Sequence, residues 1–166
     1  MQGSKDELTR ERIDALRVEL KPAERILQII HLNFLVGASV LFGIFYFVST
    51  NIVGNDGAVP VVFLFVAVLV AVLSFFVPGL IRGMRPSPDQ RTEGQLTTVY
   101  HVSHIIGSIM LEAGIIFSSF AFRIASEVPQ WFVFVPAFLI LVLLLRFPLP
   151  GKMTDWVIEQ LESRRG

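Results

Sequence analysis

Cysteine is absent from the 166 residues, which excludes disulfides, thiolate chemistry and any metal site built on sulfur. Charge is scarce: 17% of residues are Asp, Glu, Lys or Arg, and the formal net charge is zero. Nothing in that balance calls for nucleic acid as a partner. No glycine-rich phosphate loop follows a strand and no serine-nucleophile motif occurs, so the pattern speaks more for a non-enzyme than for an enzyme. The glycines at 37 and 43 lie in an apolar run and read as packing residues.

What fills the chain instead is apolar. Hydrophobic residues make up 53%, fifteen of them Phe, and the mean hydropathy is +0.65. A hydrocarbon core about 30 Å thick needs about 20 apolar residues of helix. Ile26–Val48, Val59–Ile81, Leu96–Phe122 and Val128–Phe147 reach that length, the last with Arg146 at its end. The fold expected is therefore all-α, a four-transmembrane-helix bundle with short amphipathic cytoplasmic helices at both ends. Its parts are an amphipathic helix in 1–25, a first hairpin in 26–81, a connection in 82–95, a second hairpin in 96–147 and a final helix in 148–166. The polar start, Met1-Gln2-Gly3-Ser4, lacks the features of a signal peptide, so the first span is expected to act as its own insertion signal.

Lys and Arg near the spans set the expected orientation. Lys5, Arg10, Arg12, Arg17, Lys21 and Arg25 precede the first span, and Thr50–Ala58 carries no basic residue. Arg82, Arg85 and Arg91 follow the second span, and Arg146, Lys152, Arg164 and Arg165 lie at or after the fourth. Every basic-rich segment falls on one side, which places both termini in the cytoplasm.

Local signals mark the ends. Ser4-Lys5-Asp6-Glu7 has the capping-box pattern, and Leu8, Ile13, Leu16 and Leu20 share one face of the helix it would start. Six acids balance six bases in 1–25, so the basic excess of an anionic-lipid binder is missing. Pro22 suits the first turn of a new helix. Pro78-Gly79 is expected to end the second span, Arg85–Asp89 to form a stiff connection, Trp131 to anchor at the interface, and Thr154 to cap the last helix through Trp156, Ile158 and Leu161. Sliding the chain by 70 residues aligns His31 with His101, Gly37 with Gly107 and Pro78 with Pro148, the trace expected of two tandem hairpins.

The third span carries the polar chemistry. At about 100° per residue, Thr97, His101, His104, Ser108, Glu112 and Ser119 fall within about 80° of one another. Ser103, Gly107, Gly114 and Ser118 form an adjoining stripe of small residues suited to close helix packing. This span is expected inside the bundle or at a subunit contact. Glu112 is the acid nearest mid-membrane, where a charge costs about 2.5–3.5 kcal/mol on insertion scales. Glu112, Ser108, His104 and His101 are thus the candidate proton or cation site. The alternative is a protonated Glu112 hydrogen-bonded to a Ser or His across a helix contact. His31 and His101, at similar depth on two spans, are also candidate axial ligands of a b-type haem. A zinc or iron site from His31, His101, His104 and Glu112 is disfavoured, because Glu112 lies two turns beyond His104.

Through Gln28-Ile29-Ile30-His31-Leu32, Leu111-Glu112-Ala113-Gly114 and Arg146-Phe147-Pro148, the chain resembles a family of small, uncharacterised four-helix bacterial membrane proteins. That resemblance implies a multi-pass protein of the bacterial inner (cytoplasmic) membrane and brings no activity. The hairpins and the mid-membrane acid are also faintly similar to the proteolipid subunits of rotary ATPases. There the resemblance implies an ion-carrying Glu112, although the dense Gly repeats of those subunits are lacking here. The expected partners are membrane lipid and either further copies of the chain or another membrane protein. Three functions stay open: an oligomeric protein binding or relaying a proton or cation through Glu112, a non-catalytic scaffold or accessory subunit recruiting a partner through its cytoplasmic helices, and a haem-bearing electron carrier.

Overall fold

A computed structural model describes residues 10–47, 58–84, 92–125 and 130–163. They form six helices: α1 (Arg10–Glu19), α2 (Lys21–Phe47), α3 (Val59–Gly83), α4 (Glu93–Ile124), α5 (Phe134–Leu145) and α6 (Lys152–Glu162), with a 3-10 turn over Gln130–Val133. No strand occurs among the described residues. Helices α2, α3 and α4 are each long and apolar enough to cross a membrane, which fits a membrane protein. The fourth expected span is observed as only 12 residues of α-helix, about 18 Å at 1.5 Å per residue. The 3-10 turn before it and Pro136 in its first turn delay the start of the α-helix.

Helix α4 is the hub. It packs against α2, α3, α5 and α6, whereas α2 and α3, neighbours in sequence, are not packed on each other. Its two stripes explain the position of α4. The small residues face α3, where a Cβ added at Gly114 would meet the Ala67 carbonyl at 3.1 Å and one added at Gly107 would meet the Pro78 ring at 2.8 Å. The polar stripe turns to α2, where His31 meets His104 and Ser108. Among lipid tails, apolar side chains gain little by leaving their surroundings, so close packing and interhelical hydrogen bonds must hold these helices together.

Two apolar clusters flank the polar residues. One joins Ala38, Ala71, Leu111, Ile115, Leu139 and Leu143 from four helices. The other, at the end where α1 and α6 lie, joins Leu20, Leu27, Leu96, Tyr100, Met153 and Val157. At the opposite end Phe45, Phe120, Phe63 and Phe117 form a chain of ring contacts, and Tyr46 stacks on Phe122, with centroids 5.6–6.0 Å apart.

Several local expectations are corrected. Helix α3 does not stop at Pro78-Gly79 but continues to Gly83. Proline removes the N–H that would bond the carbonyl of residue 74 and ordinarily breaks a helix. Here Arg146 reaches across from α5, and its Nη1 donates to the Ser74 carbonyl at 3.0 Å and to Ser74 Oγ at 3.2 Å. Arg82, expected in the connection, thereby belongs to α3, where Nε donates to Ser103 Oγ at 2.9 Å and the guanidinium lies 4.7 Å from the Tyr100 ring centre. Thr92 rather than a loop residue starts α4, through a capping box with Gln95.

Thr154 does not cap α6. Gly151 sits at the N-cap with a left-handed φ of 86°, a conformation that favours glycine. The capping acceptor comes from another helix: Glu24 of α2 receives hydrogen bonds from Gly151 N at 3.0 Å, Thr154 N at 3.1 Å and Thr154 Oγ1 at 2.8 Å. A carboxylate at a helix N-terminus satisfies free N–H groups and opposes the positive end of the dipole. Gln28 donates to the Pro148 carbonyl at 3.0 Å. Two surface ion pairs, Arg12–Glu93 and Arg17–Asp155, tie α1 to α4 and α6. Beside Glu93 the Arg12 guanidinium is held above its ordinary value. Helix α2 begins at Lys21 with Pro22 in its first turn.

The residue pairs of the 70-residue shift occupy unlike places. Pro78 is inside a helix, whereas Pro148 follows α5 in the turn to α6. Gly37 lies by Glu112, and Gly107 by Pro78 and Arg146. The capping pattern at Ser4, the Thr50–Gly57 loop and the Arg85–Asp89 connection lie outside the described residues, as does the side chain of Trp131.

Candidate functional site

The polar stripe of α4 meets α2 at His31, a histidine with no exposed surface. His31 Nε2 lies 2.8 Å from the carbonyl oxygen of Leu143 on α5. A carbonyl only accepts, so this nitrogen carries the proton. In the neutral ring Nδ1 is then an acceptor. It lies 3.0 Å from His104 Nε2, whose N–H donates to it, and 3.2 Å from Ser108 Oγ. The Ser108 hydroxyl also lies 3.0 Å from the His104 carbonyl, so its single proton has two acceptors in reach. His104 and Ser108 are buried as well. The two imidazoles lie 5.0 Å apart, tilted by 49°, and Phe147 closes the His31 ring edge-on at 5.5 Å. Three helices thus converge on one ring.

The helix starts decide which histidines meet. Helices α2 and α4 begin at Lys21 and Glu93, so equal depth on α4 corresponds to a residue near 103. The pair that forms is His31 with His104, separated by 73 residues, not His31 with His101. His101 lies one turn nearer the start of α4, partly buried, with its Nε2 buried and unbonded. The same geometry bears on the haem expectation. Both ring nitrogens of His31 are engaged, one as donor to a carbonyl and one against His104, so neither is open to an iron. No group of three His, Asp or Glu suited to a metal ion occurs among the described residues.

Glu112 is one turn beyond Ser108 on the same face of α4. It is only partly buried, and its Oε1 lies 3.4 Å from where a Cβ at Gly37 of α2 would be. Gly37 therefore leaves the space into which the carboxyl reaches. The expected alternative, a Glu112 hydrogen-bonded to a Ser or His, is not observed among the described residues. The rest of the stripe diverges. Thr97 returns its hydroxyl to the Glu93 carbonyl at 2.8 Å, and Ser119 Oγ is buried without a partner. On the small-residue stripe Ser103 bonds the Tyr100 carbonyl and Ser118 the Gly114 and Ile115 carbonyls. All four stripe residues, Ser103, Gly107, Gly114 and Ser118, are buried.

Sequence reasoning passed over two residues at this site. Arg146 reads as the end of a span, yet it completes the backbone of α3 one helix away. The available signal is Pro78, which inside a helix must orphan the carbonyl four residues earlier. Glu24 reads as one of many surface acids, and no local pattern links it to residue 154. Comparison of the chain with protein-family models, with curated proteins and with solved structures found no match, so the resemblances above rest on the quoted residues alone.

Proposed function

We propose that the chain is an oligomeric four-span protein, with both termini cytoplasmic, that binds and relays a proton along the α2/α4 seam through His104, His31, Ser108 and Glu112. The observation that carries this reading is the 3.0 Å contact between two buried imidazoles. One proton can be held on either side of such a contact. Ser108 stands at His31 Nδ1 and one turn from Glu112, about 5–6 Å between Cβ atoms. A carboxyl can cover that gap by a change of rotamer or through one bridging water.

The four-span reading draws support from residues 130–145, whose 3-10 turn and helix together extend about 26 Å, close to a hydrocarbon thickness of about 30 Å. The basic residues near α2, α3 and α5 support the orientation. Oligomerisation is supported by Glu112 itself. A partly exposed acid with no hydrogen bond among the described residues is costly against lipid, and a second copy offers it cover.

The test is proton flux into vesicles containing the purified protein, driven by a potassium diffusion potential and read with an internal pH dye. Glu112→Gln is expected to reduce flux to that of empty vesicles with the thermal midpoint kept, and His104→Gln to slow it. Wild-type flux equal to empty vesicles, or undiminished flux through Glu112→Gln, overturns the reading. A second reading, a scaffold or accessory subunit, is favoured by the joined α1, α6 and start of α4. It predicts loss of function on removing residues 1–20 and none in Glu112→Gln.

A further inference from the structure

Helices α3 and α5 run in the same direction on either side of α4. Ala67 and Leu139 meet at Gly114, while Ser74 and Arg146 meet near Gly107, so both helices advance together. Their backbones stay apart along most of their length, and they meet through the side chains of Ala71, Leu139 and Arg146. Between them lies an open groove of about 560 Å³ with purely apolar walls, formed by Val68, Val72 and Phe75 of α3 and Val135, Phe138 and Val142 of α5. That volume is in the range of small-molecule sites. Phe75 and Phe138 are 57% and 62% exposed along it.

A cation lies beside one wall of the groove, next to Phe75. Arg146 continues the face of α5 that carries Val135, Phe138 and Val142, and its guanidinium lies 5.2 Å from the centre of the Phe75 ring. One nitrogen, Nη1, bonds Ser74. A half-buried guanidinium beside the Phe75 wall of an apolar slot, with Nη2 toward Gly107, thus has no carboxylate partner among the described residues.

We propose that this groove holds an acyl chain of an anionic phospholipid whose phosphate is bound by Arg146. Guanidinium and phosphate suit each other in charge and geometry. A zwitterionic lipid brings its own cation, which competes with Arg146, whereas a net-negative headgroup does not. The inference depends on α3 and α5 lying in the membrane and not on proton transfer, so lipid retention and flux fail separately.

The experiment is native mass spectrometry of the purified full chain, counting retained phosphatidylglycerol against phosphatidylcholine of matched chains. Wild type is expected to prefer phosphatidylglycerol about tenfold, as one added charge-assisted contact would give. Arg146→Met should bring the ratio near one, and Val72→Trp, which fills the groove, should lower retention of both lipids. Because Arg146→Met also uncovers the Ser74 carbonyl, it is repeated with Pro78→Ala, which restores a backbone donor there. Equal retention of the two lipids by wild type overturns the proposal. So does a preference that survives the Arg146 change in the Pro78→Ala background, or retention of both lipids that Val72→Trp leaves unchanged. A change of oligomeric state in Val72→Trp with lipid retention intact assigns the groove to a second copy and overturns it as well.

Discussion

Arg146→Met should be costly with Pro78 in place and much less so when residue 78 is alanine. Pro78 has no N–H, and Arg146 Nη1 takes its place at the Ser74 carbonyl, 3.0 Å away. Removing the guanidinium leaves that carbonyl without a donor away from water, a loss of about 1–3 kcal/mol. In the Pro78→Ala background the alanine N–H bonds residue 74 as in any helix, and this part of the loss disappears. The cation–π contact to Phe75, worth about 0.5–1 kcal/mol, is lost in both backgrounds and cancels. So does the gap left by the proline ring beside Gly107. A double-mutant cycle should therefore return a coupling of about 1–2 kcal/mol. The assay is reversible unfolding in mixed micelles, followed by circular dichroism, for the wild type, both single variants and the double variant. A coupling within about 0.5 kcal/mol of zero would refute the substitution of a side-chain donor for a backbone one.

Two further substitutions test the packing and the cap. Gly107→Ala places a Cβ 2.8 Å from the Pro78 ring and 2.9 Å from Arg146 Nη2, and should cost about 1–3 kcal/mol. Gly43→Ala, which meets nothing within 4 Å, should gain about 0.4–1 kcal/mol in the same unfolding assay, and equal effects at the two sites would refute the close approach of α4 to α3. Glu24→Ala removes the acceptor of three hydrogen bonds from the start of α6. It should cost about 1–2 kcal/mol and speed amide exchange in α6, while Arg12→Ala, at an exposed ion pair, should leave the melting midpoint unchanged.

Apolar run length made three long helices readable from sequence, because a bilayer imposes one length on anything that crosses it. The two stripes of α4 were readable for the same reason that any helical face is: side chains recur at a fixed angle. What the stripes could not tell is which neighbour each would meet. The pairing of His31 depends on where α2 and α4 begin, and a self-alignment at 70 residues points to His101 where the helix starts bring His104 instead. Pro78 shows a second limit. Local rules end a helix there, and only a donor 72 residues away allows it to continue. Thr154 misled in a similar way, since the cap of α6 is supplied 130 residues earlier by Glu24. Each miss is a contact between elements distant in sequence, and no residue near the feature announces it.

The central place of α4 also bears on how the chain is made. Synthesis proceeds from the N-terminus, so α2 and α3, each long and apolar enough to cross a membrane, are made before their common partner exists. With no extensive interface between them among the described residues, they must wait as separate helices, each stable in a bilayer through its own backbone hydrogen bonds. Gly107 and Gly114 then arrive together on α4, and the docking of α3 follows. Only after α5 has followed can Arg146 close the break at Pro78 and Leu143 accept from His31. A chain cut short before residue 143 would therefore leave the break at Pro78 open and the His31 ring without its carbonyl acceptor.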